Sequence, residues 1–254
     1  MKNTTMELMQ NKIKEYFKDL KFKADTHTYE VRGNPLTSVS KTIHKYVEEV
    51  DFDKIAGFVA KKRTRDTGIY TTKEQILAEW EAKKVNSCNQ GTKTHDFGEN
   101  YTGLQEPTNG FERAIVNFWD NIPDHIEPFL FELKMYSTTL GLAGTSDIIL
   151  YNNNTGKFII ADYKTNKDLF KNFQGQEMLA PFRDKLDNRF NHYVIQLSFY
   201  QILLKQICKL EIAGRKIIYL RRDGNYDIYN VPDVTNLLSL ELDKNYEKWH
   251  QQAS

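Results

Sequence analysis

Apolar residues recur at Met6, Met9, Ile13, Phe17 and Leu20, a spacing of three or four that predicts an amphipathic helix over 6–20. The period then shortens. His27 to Arg32 alternates and predicts a strand, Gly33-Asn34-Pro35 supplies a turn, and 36–39 can return as a second strand. Ser40 is placed to cap the stretch over 41–50. A basic helix is predicted over 53–65. Thr72, with Gln75 three residues on, forms a capping box that opens a helical pattern through Trp80. Gly91 is expected to interrupt that pattern before helix resumes over 92–101, and 111–119 is a further helix ended by 121–124.

The second half changes character. The stretches 127–137, 144–151 and 157–164 read as strands, the last two joined by the strong turn Asn152 to Gly156. Together they predict a meander at the sheet centre. Val194, Leu197, Tyr200, Gln201, Leu204 and Cys208 lie at helical spacing and predict a helix over 191–210. A hairpin follows at 216–222 and 226–230 around Asp223-Gly224, and Asp233 to Thr235 leads into a C-terminal helix ending near Trp249. Helices, three strands, a helix and two strands give an α/β or α+β chain with no internal repeat.

Composition narrows the functional classes. A chain of 254 residues, 40% hydrophobic, can bury roughly 70–75% of its unfolded surface without staples. Lys and Arg number 35 against 34 Asp and Glu, so net charge gives no sign of a nucleic-acid partner, and any such partner must be read from local arrangement. Cys88 and Cys208 stand far apart with no Cys-x-x-Cys pair, which argues against zinc ribbons and an iron–sulfur cluster and fits a reducing compartment. No window approaches the ~20 apolar residues of a membrane span, and the N-terminal stretch lacks a signal-peptide core. A cytoplasmic protein is expected. The Lys/Asn/Ile/Tyr-rich composition is compatible with a phage-encoded one acting in its host.

Candidate chemistry lies in the meander. Asp162 and Lys164, in Phe158 to Thr165, are two residues apart on a strand, so their side chains share a face ~6–7 Å apart. The Asn-rich turn folds this strand beside the one carrying Asp147, and the two acids can meet near the sheet edge. Converging carboxylates repel unless a hard cation lies between them, and an oxygen donor set with open water positions suits Mg²⁺ or Mn²⁺. An ammonium nearby can orient water and offset transition-state charge. Asp-x-Lys by itself also fits a solvated strand face with a weak ion pair.

The ordered set Gly91-Thr-x-x-His95, Glu132, Gly144-x-x-Asp147, Asp162-Tyr163-Lys164 and Gln196-x-x-x-Tyr200 resembles the PD-(D/E)XK nuclease superfamily. More narrowly it resembles the RecB-like branch, with phage exonucleases and the mitochondrial genome maintenance exonuclease, and the segment His27 to Ser40 resembles the stretch that precedes the core there. The resemblance spans roughly 25–222. It implies a restriction-endonuclease-like core, a central mixed sheet flanked by helices, in a single nuclease domain over 1–254. Within it, 1–90 would form an N-terminal hairpin and helical part, 91–230 the core and 231–254 a C-terminal helix. It also implies hydrolysis of DNA by one or two metals. Asp147, Asp162, Lys164 and Glu132 would be catalytic, and His95, Asp147, Asp162 and the Tyr163 carbonyl would hold the metal.

Other residues carry weaker expectations. Gln196 and Tyr200 share a helix face and, by the resemblance, touch the nucleic-acid backbone or brace Lys164. Lys61, Lys62, Arg63 and Arg65 form the densest basic run; it is either a solvated helix face or a guide for DNA, as are Lys167 and Lys171. Trp80, Phe97 and Tyr101 read as core. An exonuclease acting on ends or single strands leads the functional readings. A structure-specific or restriction-like endonuclease and a non-catalytic nucleic-acid-binding or virion protein are the alternatives. Oligomeric state is not legible.

Overall fold

The structure, a computed structural model, describes residues 2–23, 25–207 and 210–243. Along the chain run α1 (Lys2–Phe17), β1 (Leu20–Lys23), β2 (Thr28–Val31), β3 (Asn34–Ser38), α2 (Val39–Ile43) and a 3-10 turn (His44–Tyr46). Then come α3 (Phe52–Thr67), α4 (Lys73–Asn100), α5 (Gly110–Asp120), β4 (Ile126–Ser137), β5 (Leu142–Asn152) and β6 (Lys157–Lys164). α6 (Arg189–Lys205), β7 (Ile212–Leu220), β8 (Tyr226–Val231) and a helix from 235 to 243 complete the described chain. The chain divides into two compact units, Met1–Val47 with Tyr101–Ser254, and Glu48–Asn100.

The first unit holds an eight-stranded mixed sheet ordered β1-β2-β3-β5-β6-β7-β8, with β4 paired to β5. The expected meander is there: β4, β5 and β6 pair antiparallel in succession, and β7 adds parallel to β6 after α6. Val194, Leu197, Leu203 and Leu204 of α6 join Leu133, Met135, Ile149, Ile160 and Ile217 in one buried cluster. α5 serves the opposite face, where Phe118 meets the rings of Tyr163 and Tyr226 edge-on.

The registers open a gap in this sheet. β4 occupies one edge of β5 along its length. The other edge is shared: β3 pairs at Leu142 and Ala143, and β6 pairs from Ile148 to Asn152. Positions 144–147 of β5 therefore face neither neighbour's ladder.

Several boundaries depart from the sequence reading. Leu20 continues the apolar stripe of α1 yet opens β1, opposite Val31, because one inward residue satisfies either period. Ser38, not Ser40, caps α2 by accepting the Lys41 amide at 3.1 Å, and the helix stops at Ile43. Gly91 does not interrupt α4, which runs for 28 residues; a helical glycine costs only about 1 kcal/mol, which neighbouring turns can offset. Cys208 and the C-terminal helix beyond 243 lie outside the described residues.

The second unit is a pair of helices. Ala56 and Ala60 of α3 pack on Ile76 of α4, with Val59, Leu77 and Trp80 around them. The expected capping box is formed: the Thr72 amide donates to Gln75 Oε1 at 2.8 Å and the Gln75 amide to Thr72 Oγ1 at 3.2 Å. Arg63 reaches α4 with both arms, donating to Glu79 at 2.6 and 3.0 Å.

Candidate metal centre

β4 carries Glu132 between Phe131 and Leu133, which pair with Ile148 and Ser146 of β5. Glu132 thus stands opposite Asp147, and their carboxylate oxygens lie within 4.8 Å of one another. Like charges directly opposite on adjacent strands are destabilising. The backbone of Glu132 has φ +44°, a left-handed conformation that a non-glycine residue holds at a cost of about 1–3 kcal/mol. Strain and repulsion at one residue are tolerated where function requires them or where a cation offsets them.

Asp147 is buried. The ladder between β5 and β6 ends at Ile148 opposite Ala161. One step further, the Tyr163 amide donates to Asp147 Oδ2 at 2.8 Å rather than to a backbone carbonyl. This contact fixes Asp147 at the mouth of the gap and brings it beside Asp162. Asp162 is 1% exposed and makes an ion pair with Lys164 on the same strand face. Burial works against the charge on Lys164, but Asp162 beside it, joined by Asp147, outweighs that and holds the ammonium well above the ordinary lysine range. Its Nζ lies 4.5 Å from the ring centre of Tyr193 on α6.

Tyr200 explains the glycine of Gly144-x-x-Asp147. A Cβ at Gly144 would lie 2.6 Å from Tyr200 Cε1 and 3.3 Å from Val39 Cγ2, so only glycine lets α6 come this close to β5. Tyr200 is 3% exposed, and its hydroxyl accepts from Gln196 Nε2 at 2.8 Å. Burial raises its pKa well above the usual range, with the Asp162 and Asp147 carboxylates adding to the effect. The Gln196–Tyr200 pair lies along the wall of the gap, with the Tyr200 ring packed against Gly144.

Tyr163 turns its side chain to the other face, where its hydroxyl accepts from Trp119 Nε1 at 2.9 Å. His95 is half-buried on α4 in the second unit. Lys61 and Lys167 are exposed. Arg63, read with Lys61 as a guide for DNA, reaches Glu79 of α4 with a paired fork. Sequence reasoning passed over Tyr193, which follows the stripe of Gln196 and Tyr200 one turn earlier and could have been found from it. It also passed over Tyr29, whose hydroxyl shares a 3.0 Å hydrogen bond with Thr145 Oγ1; the alternation of 27–32 pointed it inward.

Asp162 and Asp147 thus lie beside the Lys164 ammonium, and Glu132 faces Asp147 across the strand pair. Such an oxygen-rich, net negative donor set fits a hard divalent cation.

A family model of the PD-(D/E)XK nuclease superfamily matches residues 41–251. No curated protein matches the chain. A solved structure described as "Crystal structure of SSO0001" is 13% identical, covering 96% of this chain and 85% of that one, with a TM-score of 0.36. Because the family pattern extends over most of the sequence, the chain belongs to the PD-(D/E)XK nuclease superfamily.

Proposed function

We propose that the protein is a metal-dependent deoxyribonuclease that hydrolyses phosphodiester bonds as an exonuclease, at DNA ends or on single strands. The observation that carries the reading is the buried Asp162–Lys164 pair beside Asp147, with Glu132 held opposite in strained backbone. Asp147, Asp162 and Glu132 would hold Mg²⁺ or Mn²⁺. His95 and the Tyr163 carbonyl are further candidate ligands. A bound divalent cation supplies Lewis-acid polarisation and a more acidic water.

The remaining work falls to the chain. Lys164, kept charged by its acidic surroundings, orients the attacking water and offsets charge developing on the phosphoryl oxygens. Asp147 is fixed by the Tyr163 amide, so its second oxygen has a defined direction. Gln196 and Tyr200 hold the wall behind it. The RecB-like branch is favoured by the combination of His95 with the Gln196–Tyr200 pair. Lys61 and Lys167 are candidate phosphate contacts.

The test is cleavage of end-labelled DNA, single- and double-stranded, linear and circular, with Mg²⁺, Mn²⁺ or Ca²⁺ and with chelator. Metal-dependent loss of label from linear substrates only is the expected result. Cutting of circles would replace the exonuclease reading with an endonuclease one, and full activity in chelator would remove the metal altogether.

A further inference from the structure

The chain leaving Lys164 enters an irregular stretch, 165–188, that is pinned at many points. Tyr193, whose ring underlies the Lys164 ammonium, donates its hydroxyl to Asn166 Oδ1 at 2.5 Å. The Tyr219 hydroxyl donates to the carbonyls of Asn166 and Lys167 at 2.7 and 3.0 Å. Asp168 Oδ1 accepts the amides of Phe170 and Lys171 at 2.9 and 3.0 Å. Leu169 is buried, and its carbonyl accepts the Phe190 amide at 2.8 Å. The Asn172 amide group donates to the carbonyls of Gln176 and Asp187, both at 2.7 Å.

This pinned loop presents aromatic rings to solvent. Phe170 is 49% exposed and Phe173 is 69% exposed. Phe170 is backed by Phe190 at 5.1 Å and Tyr229 at 5.4 Å between ring centres, and Tyr229 by Tyr219 at 6.1 Å. Tyr219 in turn stands opposite Lys164 in the β6–β7 register. A continuous bank of rings therefore runs from the lysine of the proposed site to the surface. Lys167 and Lys171, both exposed, flank Phe170 along the loop. Large apolar side chains held out in water beside a site mark a contact surface. The alternation of lysine and aromatic is what a single-stranded nucleic acid requires, with cations for its phosphates and ring faces for its unpaired bases. A duplex offers no such base faces except at its ends.

We infer that Phe170 and Phe173, with Lys167 and Lys171, form a docking platform for a single-stranded stretch of nucleic acid leading to Lys164. The inference rests on the nuclease reading above and specifies its substrate class. Phe170 and Phe173 are substrate-holding residues in it; they take no part in bond cleavage.

The experiment is fluorescence anisotropy with a labelled oligothymidylate and a labelled duplex closed by a hairpin loop at each end. Ca²⁺ replaces Mg²⁺, and the proteins are wild type, Phe170→Ala, Phe173→Ala, the double variant and the double variant Lys167→Ala with Lys171→Ala. Melting temperatures are read alongside, and Phe170→Leu and Phe173→Leu, which keep apolar bulk without a ring, control for folding. Each Phe→Ala change is expected to weaken oligothymidylate binding about tenfold, with Leu no better than Ala and duplex binding unchanged. The lysine variant is expected to weaken binding and flatten its salt dependence. Equal losses on both DNAs, full rescue by Leu, or no loss on the single strand would overturn the platform. So would a wild-type self-association that Phe170→Ala abolishes while DNA binding persists, which would make the surface an interface between copies. Metal-dependent cleavage by wild type with unchanged binding by the variants overturns this inference alone. A wild type that neither cuts nor binds DNA overturns the nuclease reading as well.

Discussion

Two polar clusters lie against α6, and successive residues of the helix, Tyr200 and Gln201, serve one each. In the first, Asp147 and Asp162 lie beside Lys164, and Glu132 faces Asp147. In the second, buried Arg215 of β7 donates to Gln201, to Asp233 at 3.1 Å and to the Val231 carbonyl at 3.4 Å. Gln201 also donates to Asp233 at 3.3 Å. The second cluster is electrically closed, with one cation, one anion and an amide that bonds to both. The first is rich in acids, and it sits in the gap of the sheet, with Glu132 in left-handed backbone. A buried charge is ordinarily paired. The difference between the clusters separates a group that holds the fold together from an acid-rich one whose oxygens suit a divalent cation.

The comparison breaks if the acids prove dispensable. Asp147→Asn or Asp162→Asn is expected to lower cleavage by at least about 10²–10³-fold. Asp147→Asn should keep the melting temperature, since it retains an acceptor for the Tyr163 amide, whereas Asp162→Asn should lower it by leaving the buried Lys164 without its partner. Near-normal cleavage by either folded variant would end the assignment. Arg215→Met should do the converse. It is expected to cost about 2–4 kcal/mol, somewhat below a fully buried pair because half of the Asp233 side chain is exposed. Cleavage per folded molecule should be kept. Denaturant unfolding with an activity titration checks both halves, and an unfolding midpoint equal to wild type would mean that the second cluster contributes nothing.

Divalent cation sharpens the same contrast. At about a hundred times its Kd, Mg²⁺ should stabilise the wild type by about 2.7 kcal/mol, and Asp147→Asn should lose that gain while Arg215→Met keeps it. A thermal shift equal in all three proteins would place the cation elsewhere. Gly144→Ala is expected to have the smallest effect, about 1–3 kcal/mol of overpacking against Tyr200, with cleavage falling alongside because α6 is pushed off the site. Its restoration by Tyr200→Phe would show that the hydroxyl matters; restoration only by a smaller side chain at 200 would show that the clash alone does.

Much of this was legible because the strand period is rigid. Alternation in Phe158 to Lys164 set Asp162 and Lys164 on one face, and the turn Asn152 to Gly156 brought β5 alongside. Glu132 was harder. The resemblance alone put it in the site, because strand pattern reports which face a residue takes and not which residue it opposes. The register of β4 on β5 decided that. Arg63 shows the same limit from the other side: a basic run reads as one surface, yet helix geometry turned Arg63 into α4 and left Lys61 in water.

The sequence by itself determined the family, the meander and the identity of the acids and lysine, since these rest on residue type and on periods of two and 3.6 that act over a few residues. Only the tertiary structure decided where the β5–β6 ladder stops, that Asp147 takes the Tyr163 amide, and that Tyr200 fills the space left by Gly144. Those outcomes depend on how strands far apart in the chain come into register and on how a helix seats against them, and such long-range packing is fixed by the whole core at once rather than by any local pattern.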